Sequence, residues 1–414
     1  MNDPSGAVSA HTLPQPPERA TTTPLSARAL APDLARGLML LFIALAHVPW
    51  FLYHLPAGVS GMHPIVGGAV DRWAQVMTII AVDARTHTMF AFLFAYGIGQ
   101  MYSRQRARGV GEPQVRRLLG RRHRWMIVFG ALHAVLLWQG DILGTYGLLG
   151  LILVPLFLGR SDRTLRVWIV VLLSLSALGA LISTLGVLLA PTAAAGVVPA
   201  DLQRLSMAEP DYVLSALYRT GMWVLGLASG LLTLALPTAF LAGLLAARHR
   251  ILEEPERHLP LLRRLAVLGI ACGVLGGVGL VLEHSGIVSA TGGSVFSPLH
   301  FLTGIGQGIG YVALFGLVAQ ALAQRGLDRL VPVQAVVALG RRSLSGYLAQ
   351  SVLFIPLLAA WGFGLGAHLS SWSAAVVAIA TWSLTVVAAY ALERSGRRGP
   401  AEVLLRKLTY RSGR

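Results

Sequence analysis

Cysteine is nearly absent from this 414-residue chain. Cys272 stands alone inside an apolar run, so no intramolecular disulfide and no cysteine metal cluster can form. Lysine is as rare. Lys407 is the one lysine among 34 basic residues, and the rest are arginine. Acidic residues number only 18, which leaves a formal net charge of +16. Charged residues together make up 13% of the chain, well below the share of a soluble domain. No His-x-x-x-His or comparable ligand spacing occurs, and we expect no metal site. No long-period repeat is visible. One short echo exists, between "LLGRRHRWM" at 118–126 and "ALGRRSLSGYL" at 338–348.

What the chain has in excess is apolar surface. Hydrophobic residues make up 55%, glycines number 46 and mean hydropathy is +0.64, which indicates a polytopic membrane protein. The expected fold is all-α, a transmembrane helix bundle of about ten spans. Apolar stretches long enough to cross a bilayer fall at about 32–55, 73–101, 122–138, 142–159, 165–190, 219–247, 262–284, 298–323, 340–361 and 373–393. Asp83, Arg85 and His87 interrupt the second, which reads as a broken segment followed by a helix from about Thr88. Residues 1–29 are rich in Pro, Thr, Ser and Ala and lack a continuous apolar core. They are expected to form a disordered cytoplasmic tail rather than a cleavable signal peptide. The bundle is expected over 30–396, with a basic cytoplasmic tail at 397–414.

The basic residues orient the bundle. With both termini cytoplasmic, 30 of the 34 fall in inner segments, against only Arg204 and Arg219 in outer loops. That asymmetry follows the positive-inside rule and an even number of spans. The basicity is therefore membrane orientation, and a nucleic-acid role would need a basic soluble domain that is not visible.

The stretch "PDLARGLMLLFIALAHVPWFLY", residues 32–53, keeps Arg36 and His47 in an otherwise lipid-soluble segment. They are eleven residues apart, about 16 Å of helix rise, which puts His47 near the midplane if Arg36 sits at the inner headgroups. Eleven steps of about 100° return to nearly the same face, and His54 shares it, so the three form one polar stripe. Pro49 removes a backbone hydrogen bond and leaves a bend beside His47. Ionisable groups in lipid are costly unless they face protein or water, so the stripe marks function or interhelical glue. His133 reaches a similar depth from Arg121, and Asp141 opens the fourth span from the outer side.

Gly120-Arg121-Arg122 and Gly340-Arg341-Arg342 are each expected to place a guanidinium pair at a helix N-terminus. Free N–H groups and bidentate arginine together suit phosphate or pyrophosphate, although arginines there also serve as topological anchors. Ser343, Tyr347 and Gln350 follow on one inward face, where they line a cavity or act as helix glue.

The stretches "APDLARGLMLLFIALAH", "THTMFAFLFAYGIG", "RRHRWMIVFGALHAVLLWQGDILGTYGLLG", "GRRSLSGYLAQSVLF" and "GPAEVLLRKLTYR" occur in order over about residues 30–411. Together they resemble the YeiB (DUF418-type) family of bacterial membrane proteins, long catalogued as a domain of unknown function. That family resembles, more distantly, the transmembrane acyltransferase superfamily, which includes the acyltransferase-3 O-acetylating enzymes and the lysosomal heparan-α-glucosaminide N-acetyltransferase. Arg36 and His47 have the spacing of the acyltransferase-3 motif, an arginine, ten residues and a histidine. The resemblance implies a multi-pass protein of the bacterial cytoplasmic membrane that forms a homodimer. It also implies transfer of an acyl group, acetyl above all, from cytoplasmic acyl-CoA to an acceptor that is a glycan, a lipid or a small molecule.

On that reading acyl-CoA (acetyl-CoA) is the co-substrate, and Arg121, Arg122, Arg341 and Arg342 contact its phosphates beside Ser343 and Tyr347. His47 acts as base or acyl carrier, with Arg36, His133 and Asp141 completing the catalytic set. A proton-coupled solute transporter built on the same His, Asp and Arg residues is the alternative, and a structural or partner-binding membrane protein the third reading.

Overall fold

The computed structural model describes residues 29–58, 61–189, 200–288 and 293–410, with 200–203 known by main chain alone. The tail expected at 1–29 lies, but for Ala29, outside the described residues. Among the described residues there is no β-strand, only an isolated bridge between Ala57 and Pro64.

In chain order the helices are α1 (Leu30–His47), α2 (Ala69–Ala81), α3 (Thr86–Ala107), α4 (Glu112–Leu136), α5 (Leu143–Phe157), α6 (Asp162–Leu189), α7 (Ala200–Ala208), α8 (Tyr212–Leu232), α9 (Ala235–Arg248), α10 (Leu259–His284), α11 (Ser297–Gln324), α12 (Val331–Arg341), α13 (Ser343–Leu358), α14 (Ser371–Arg394) and α15 (Pro400–Tyr410). Every apolar stretch of the sequence falls on one of these helices or on a consecutive pair. Among the described residues, six helices or near-continuous helix pairs are long and apolar enough to span a membrane. A seventh arises if α8 and α9, bent by 61°, form one broken span. Helices α5, α12 and α13 are shorter, at 15, 11 and 16 residues.

Prolines in the first turn start α4, α10, α11 and α12, where the missing N–H costs no hydrogen bond. Helix α1 is central and touches α3, α11, α12, α13 and α14. It stops at His47, and a 3₁₀ turn over Val48–Phe51 carries Pro49. The polar stripe expected from Arg36 through His54 is therefore cut short. His54 lies beyond the 3₁₀ turn, exposed, and no longer shares a helical face with the other two.

Helix α6 buries only Leu165 and Ala180 and turns leucine, valine and isoleucine outward, as a lipid-facing helix does. Helices α10 and α11 approach closely through small residues. A methyl group on Gly269 would lie 2.4 Å from the carbonyl oxygen of Gly306.

The break expected around Asp83, Arg85 and His87 is real and separates α2 from α3. Ala84 sits there in the left-handed region at φ 59°, a conformation that costs energy for any residue with a Cβ. Arg85, fully buried, is satisfied by the Asp83 carbonyl at 2.5 Å, Gln307 Oε1 at 2.6 Å, the Gly273 carbonyl at 2.6 Å and the His300 ring. That network makes Arg85 a clamp for the broken segment and explains how a guanidinium survives in an apolar bundle.

Candidate functional site

A cavity of about 330 Å³ opens among the arginine-rich ends of the helices. Helices α1, α3, α4, α12, α13 and α15 all contribute walls. Seven arginines line it, Arg36, Arg104, Arg108, Arg122, Arg341, Arg398 and Arg406, against two acids, Asp33 and Glu402. Deeper, the walls turn apolar with Met39, Phe90, Leu93, Phe94, Met126 and Leu143, and Tyr347 belongs to the same lining. The volume lies within the range of small-molecule sites. A strongly cationic mouth leading to an apolar interior suits a ligand with an anionic head and a neutral tail.

The arginines are held, each in its own way. Arg36 Nη1 donates to Asp33 Oδ1 at 2.9 Å and Nη2 to the Leu93 carbonyl at 3.4 Å. Asp33 is buried and also faces Arg341 Nε at 3.5 Å, so one carboxylate sits between two guanidinium groups from α1 and α12. Arg122 lies over the Phe94 ring, 5.9 Å from its centroid.

Two expectations about the arginine pairs need correction. Gly120, Arg121 and Arg122 are not at a helix N-terminus. Glu112 and Pro113 start α4 well before the apolar run, so these residues are mid-helix and their N–H groups belong to the helical ladder. Arg121 does not line the cavity and donates instead to the Thr409 carbonyl at 3.2 Å.

The second pair does flank a helix start, with Arg342 at the cap of α13. Arg342 is buried, however. It is occupied by Glu393 Oε2 at 2.6 Å, the Ala338 carbonyl at 3.1 Å and the Arg397 carbonyl. It ties α13 to α14 and does not face the cavity. Arg341 and Ser343 do line it. The exposed amides of α13 are already taken. Glu402 Oε1 accepts from the N–H groups of Leu344 at 2.8 Å and Ser345 at 3.1 Å, and the Ser345 hydroxyl donates to Oε2. The protein's own carboxylate occupies the position expected for a ligand anion.

Arg104, Arg108, Arg398 and Arg406, which the sequence marks only as inner loop or tail charge, also line the cavity, as does Glu402. A signal existed for α15. Glu402, Leu405, Arg406 and Thr409 repeat at helical spacing, and all four reach the cavity.

Past the cavity's apolar walls lies a second polar group. The Tyr347 ring rests against His133, centroids 5.2 Å apart, and its hydroxyl accepts from the Ile142 N–H at 3.3 Å. His133 Nδ1 is 3.1 Å from Asp141 Oδ1. Asp141 Oδ2 accepts from the Gly144 N–H at 2.7 Å, which caps the first turn of α5, and from Trp223 Nε1 at 3.3 Å. A carboxylate on the Nδ1 side selects, for a neutral imidazole, the tautomer with its hydrogen on Nδ1 and its lone pair on Nε2. That Nε2 is buried and has no hydrogen-bond partner among the described residues.

His47 does not line the cavity. It ends α1 with its ring edge-on to Trp138, centroids 4.1 Å apart, within electrostatic range of His133. Of the four residues expected to be catalytic, the structure thus joins His133 to Asp141, sets His47 beside Trp138 and keeps Arg36 at the cavity wall.

Near the mouth, in the segment between α9 and α10, Glu253 accepts hydrogen bonds from the Tyr96 hydroxyl and from Gln100 Nε2, the latter at 2.6 Å. Burial raises its carboxyl to about pKa 7, against the opposing pull of Arg36. No group of three or more metal-ligating side chains is found among the described residues.

The fold and the site define a multi-pass, all-α membrane protein with an arginine-lined cavity at one end of its bundle. Residues 246–412 match the family described as "Protein of unknown function (DUF418)". The chain is 26% identical over 407 residues to "Uncharacterized protein YxaH" of Bacillus subtilis (strain 168), covering 92% of this chain and 94% of that protein. It is likewise 26% identical over 404 residues to "Uncharacterized protein YeiB" of Escherichia coli (strain K12), covering 92% and 96%. The chain is thus similar to the DUF418 family over residues 246–412, and to YxaH and YeiB over nearly its whole length.

Proposed function

We propose that the protein is an integral acyltransferase of the cytoplasmic membrane. It would pass an acyl group, acetyl above all, from cytoplasmic acyl-CoA to an acceptor within the membrane. The observation that carries this reading is the cavity's chemistry, a ring of arginines at the mouth and an apolar throat that includes Tyr347, behind which stands an imidazole with a free lone pair. Arg104, Arg122, Arg341 and Arg406 would meet the phosphates, and the neutral pantetheine arm would follow the apolar wall toward Tyr347.

His133 replaces His47 as the preferred base, because it is oriented by a carboxylate and touches the cavity's own lining. It would take the proton of the acceptor hydroxyl or amine as that atom attacks the thioester carbonyl. The same proton then leaves with the CoA thiol. Asp141 orients the ring and stabilises its cationic form, and Tyr347 would have to swing aside or pass the thioester along its face. His47, across Trp138, is the second imidazole through which the proton could be exchanged.

The test is thermal unfolding of the purified protein with acetyl-CoA and with adenosine. Stabilisation by acetyl-CoA alone is expected, and equal response to both, or to neither, ends the proposal. The broken α2–α3 segment and the bent α8–α9 pair support the other reading, a proton-coupled transporter. Proton-dependent solute flux in liposomes, without any response to acetyl-CoA, is the outcome that reading requires.

A further inference from the structure

Four buried polar atoms, at the end of α4 and on α13, have no hydrogen-bond partner among the described residues: His133 Nε2, Trp138 Nε1, and both Nε2 and Oε1 of Gln350. Their side chains are almost wholly buried, Trp138 and Gln350 at 1% exposure and His133 at 4%. Such groups are costly anywhere in a protein, and more so in a bundle surrounded by lipid, where water does not compensate them.

The three residues are joined by a chain of side-chain contacts. Tyr347, Gln350 and Phe354 lie three and four residues apart on α13 and share a face. The first rests on His133 at 5.2 Å between centroids. The last meets Phe51 at 5.7 Å, and Phe51 meets Trp138 at 5.9 Å. Along α13, Gln350 thus lies between the residue that touches His133 and the one whose aromatic contacts lead to Trp138. His133 and Trp138 also follow one another in the chain turn after α4, where the main-chain N–H of Trp138 donates to the main-chain carbonyl of His133 at 3.0 Å.

From this arrangement we infer that His133, Trp138 and Gln350 form the binding site for the acceptor, and that the acceptor is a neutral, hydroxyl-bearing molecule with an apolar body. This inference rests on the acyl-transfer reading for its step, though not for the binding site itself. The open atoms supply two acceptors, the His133 lone pair and Gln350 Oε1, and two donors, Trp138 Nε1–H and Gln350 Nε2–H. A hydroxyl both gives and takes a hydrogen bond and answers both kinds. A carboxylate would leave His133 Nε2 facing a lone pair, and an ammonium would face two unpaired N–H donors. Both oxygens of Asp141 are already engaged, so no free anion balances a cation. Phe51, Phe354 and Trp50, whose ring is 6.0 Å from that of Trp138, complete an aromatic wall for the apolar body.

In the step, the acceptor O–H bond breaks and its proton goes to His133 Nε2. The oxygen bonds the acyl carbon, the C–S bond breaks, and the thiolate takes the proton back. The products are an ester and the free CoA thiol.

The probe is 1-octanol, with octane as the control, added to the full chain in lipid nanodiscs. Tryptophan emission is followed as the difference from the Trp138→Phe variant. A saturable change with octanol and none with octane is expected, weakened about tenfold in Gln350→Leu, the loss of about two neutral hydrogen bonds. Gln350→Leu should melt no lower than the parent, because it removes an unsatisfied group. Gln350→Met is the second variant should the leucine fail to fold. An equal response to octane, or an octanol response unchanged by either substitution, overturns the inference. An octanol response that survives while acetyl-CoA fails to stabilise the protein ends the acyl-transfer reading and leaves the hydroxyl site standing.

Discussion

His133 Nδ1 stands 3.1 Å from Asp141 Oδ1, and neither side chain is free to leave, because Asp141 also caps α5 through Gly144 and receives the Trp223 indole. A carboxylate fixed by three partners holds the imidazole in one tautomer before any substrate arrives. Asp141→Asn keeps the cap but offers His133 an N–H where it needs an acceptor, and so turns the lone pair away from the acceptor site. Acyl transfer, followed as release of CoA thiol, should fall by about 10²- to 10⁴-fold. Stabilisation by acetyl-CoA should hold, because the arginine-lined mouth is untouched. A loss of that stabilisation together with activity would make Asp141 a structural residue only.

Glu253 provides a pH prediction. Its folded-state pKa of about 7 lies above its ordinary value of 4.5, so the folded protein retains a proton that the unfolded chain releases. The stability tied to that proton is complete below about pH 4.5 and is lost as pH rises through 7. Glu253→Gln removes the titration. Its melting midpoint relative to the parent should therefore climb between pH 5 and pH 8 and level off above. A difference that stays flat across this range refutes the assignment of the shift to burial.

Much of this architecture is legible in the sequence, and the residues show where legibility ends. Pro49 marks the end of α1, and Asp83, Arg85 and His87 mark the break before α3, because backbone and charge penalties are local. Apolarity fails at the start of α4. It registers where the chain enters lipid, near residue 122, whereas the helix begins at Glu112. Arg121 and Arg122 thus lose the free amides that made them look like an anion site.

The partners of Arg342 and of the α13 amides are out of reach for a different reason. Glu393 and Glu402 lie more than fifty residues downstream, and nothing local says which helix end they will meet. The His133–Asp141 pair spans only eight residues, yet it forms because the chain between α4 and α5 reverses, a feature the sequence does not announce.

Glu402 carries a prediction of its own. Its carboxylate sits on the amides of Leu344 and Ser345 inside a cavity otherwise dominated by arginine, so a phosphate entering the cavity competes with it. Glu402→Gln lowers that competition by one charge while retaining an oxygen to accept a hydrogen bond. Binding of CoA, measured by titration calorimetry, should tighten several-fold, with a melting midpoint lowered by the weaker cap, worth about 1 kcal/mol. Weaker CoA binding in this variant would mean that Glu402 orders the cavity rather than competes for it.

Gly340 tests whether the cavity depends on close contact between α1 and α12. A methyl group on this glycine would lie 1.7 Å from the Asp33 carbonyl oxygen and 2.6 Å from its carbon, both backbone atoms that no rotamer change can move. Gly340→Ala must therefore push α12 away from α1, the helix it touches most extensively. Overpacking of this kind costs about 1–3 kcal/mol, and more where backbone has to shift. The displacement also draws Arg341 from Asp33, now 3.5 Å away, and alters two walls of the cavity at once. The variant should melt at a lower temperature and lose most of its stabilisation by acetyl-CoA. Arg341→Ala, which keeps the backbone packing of α12 on α1 and removes only the ion pairs to Asp33 and Glu393, should weaken that stabilisation with a smaller change in melting. Equal thermal behaviour of the two variants would refute the idea that helix spacing, rather than the single guanidinium, shapes the cavity.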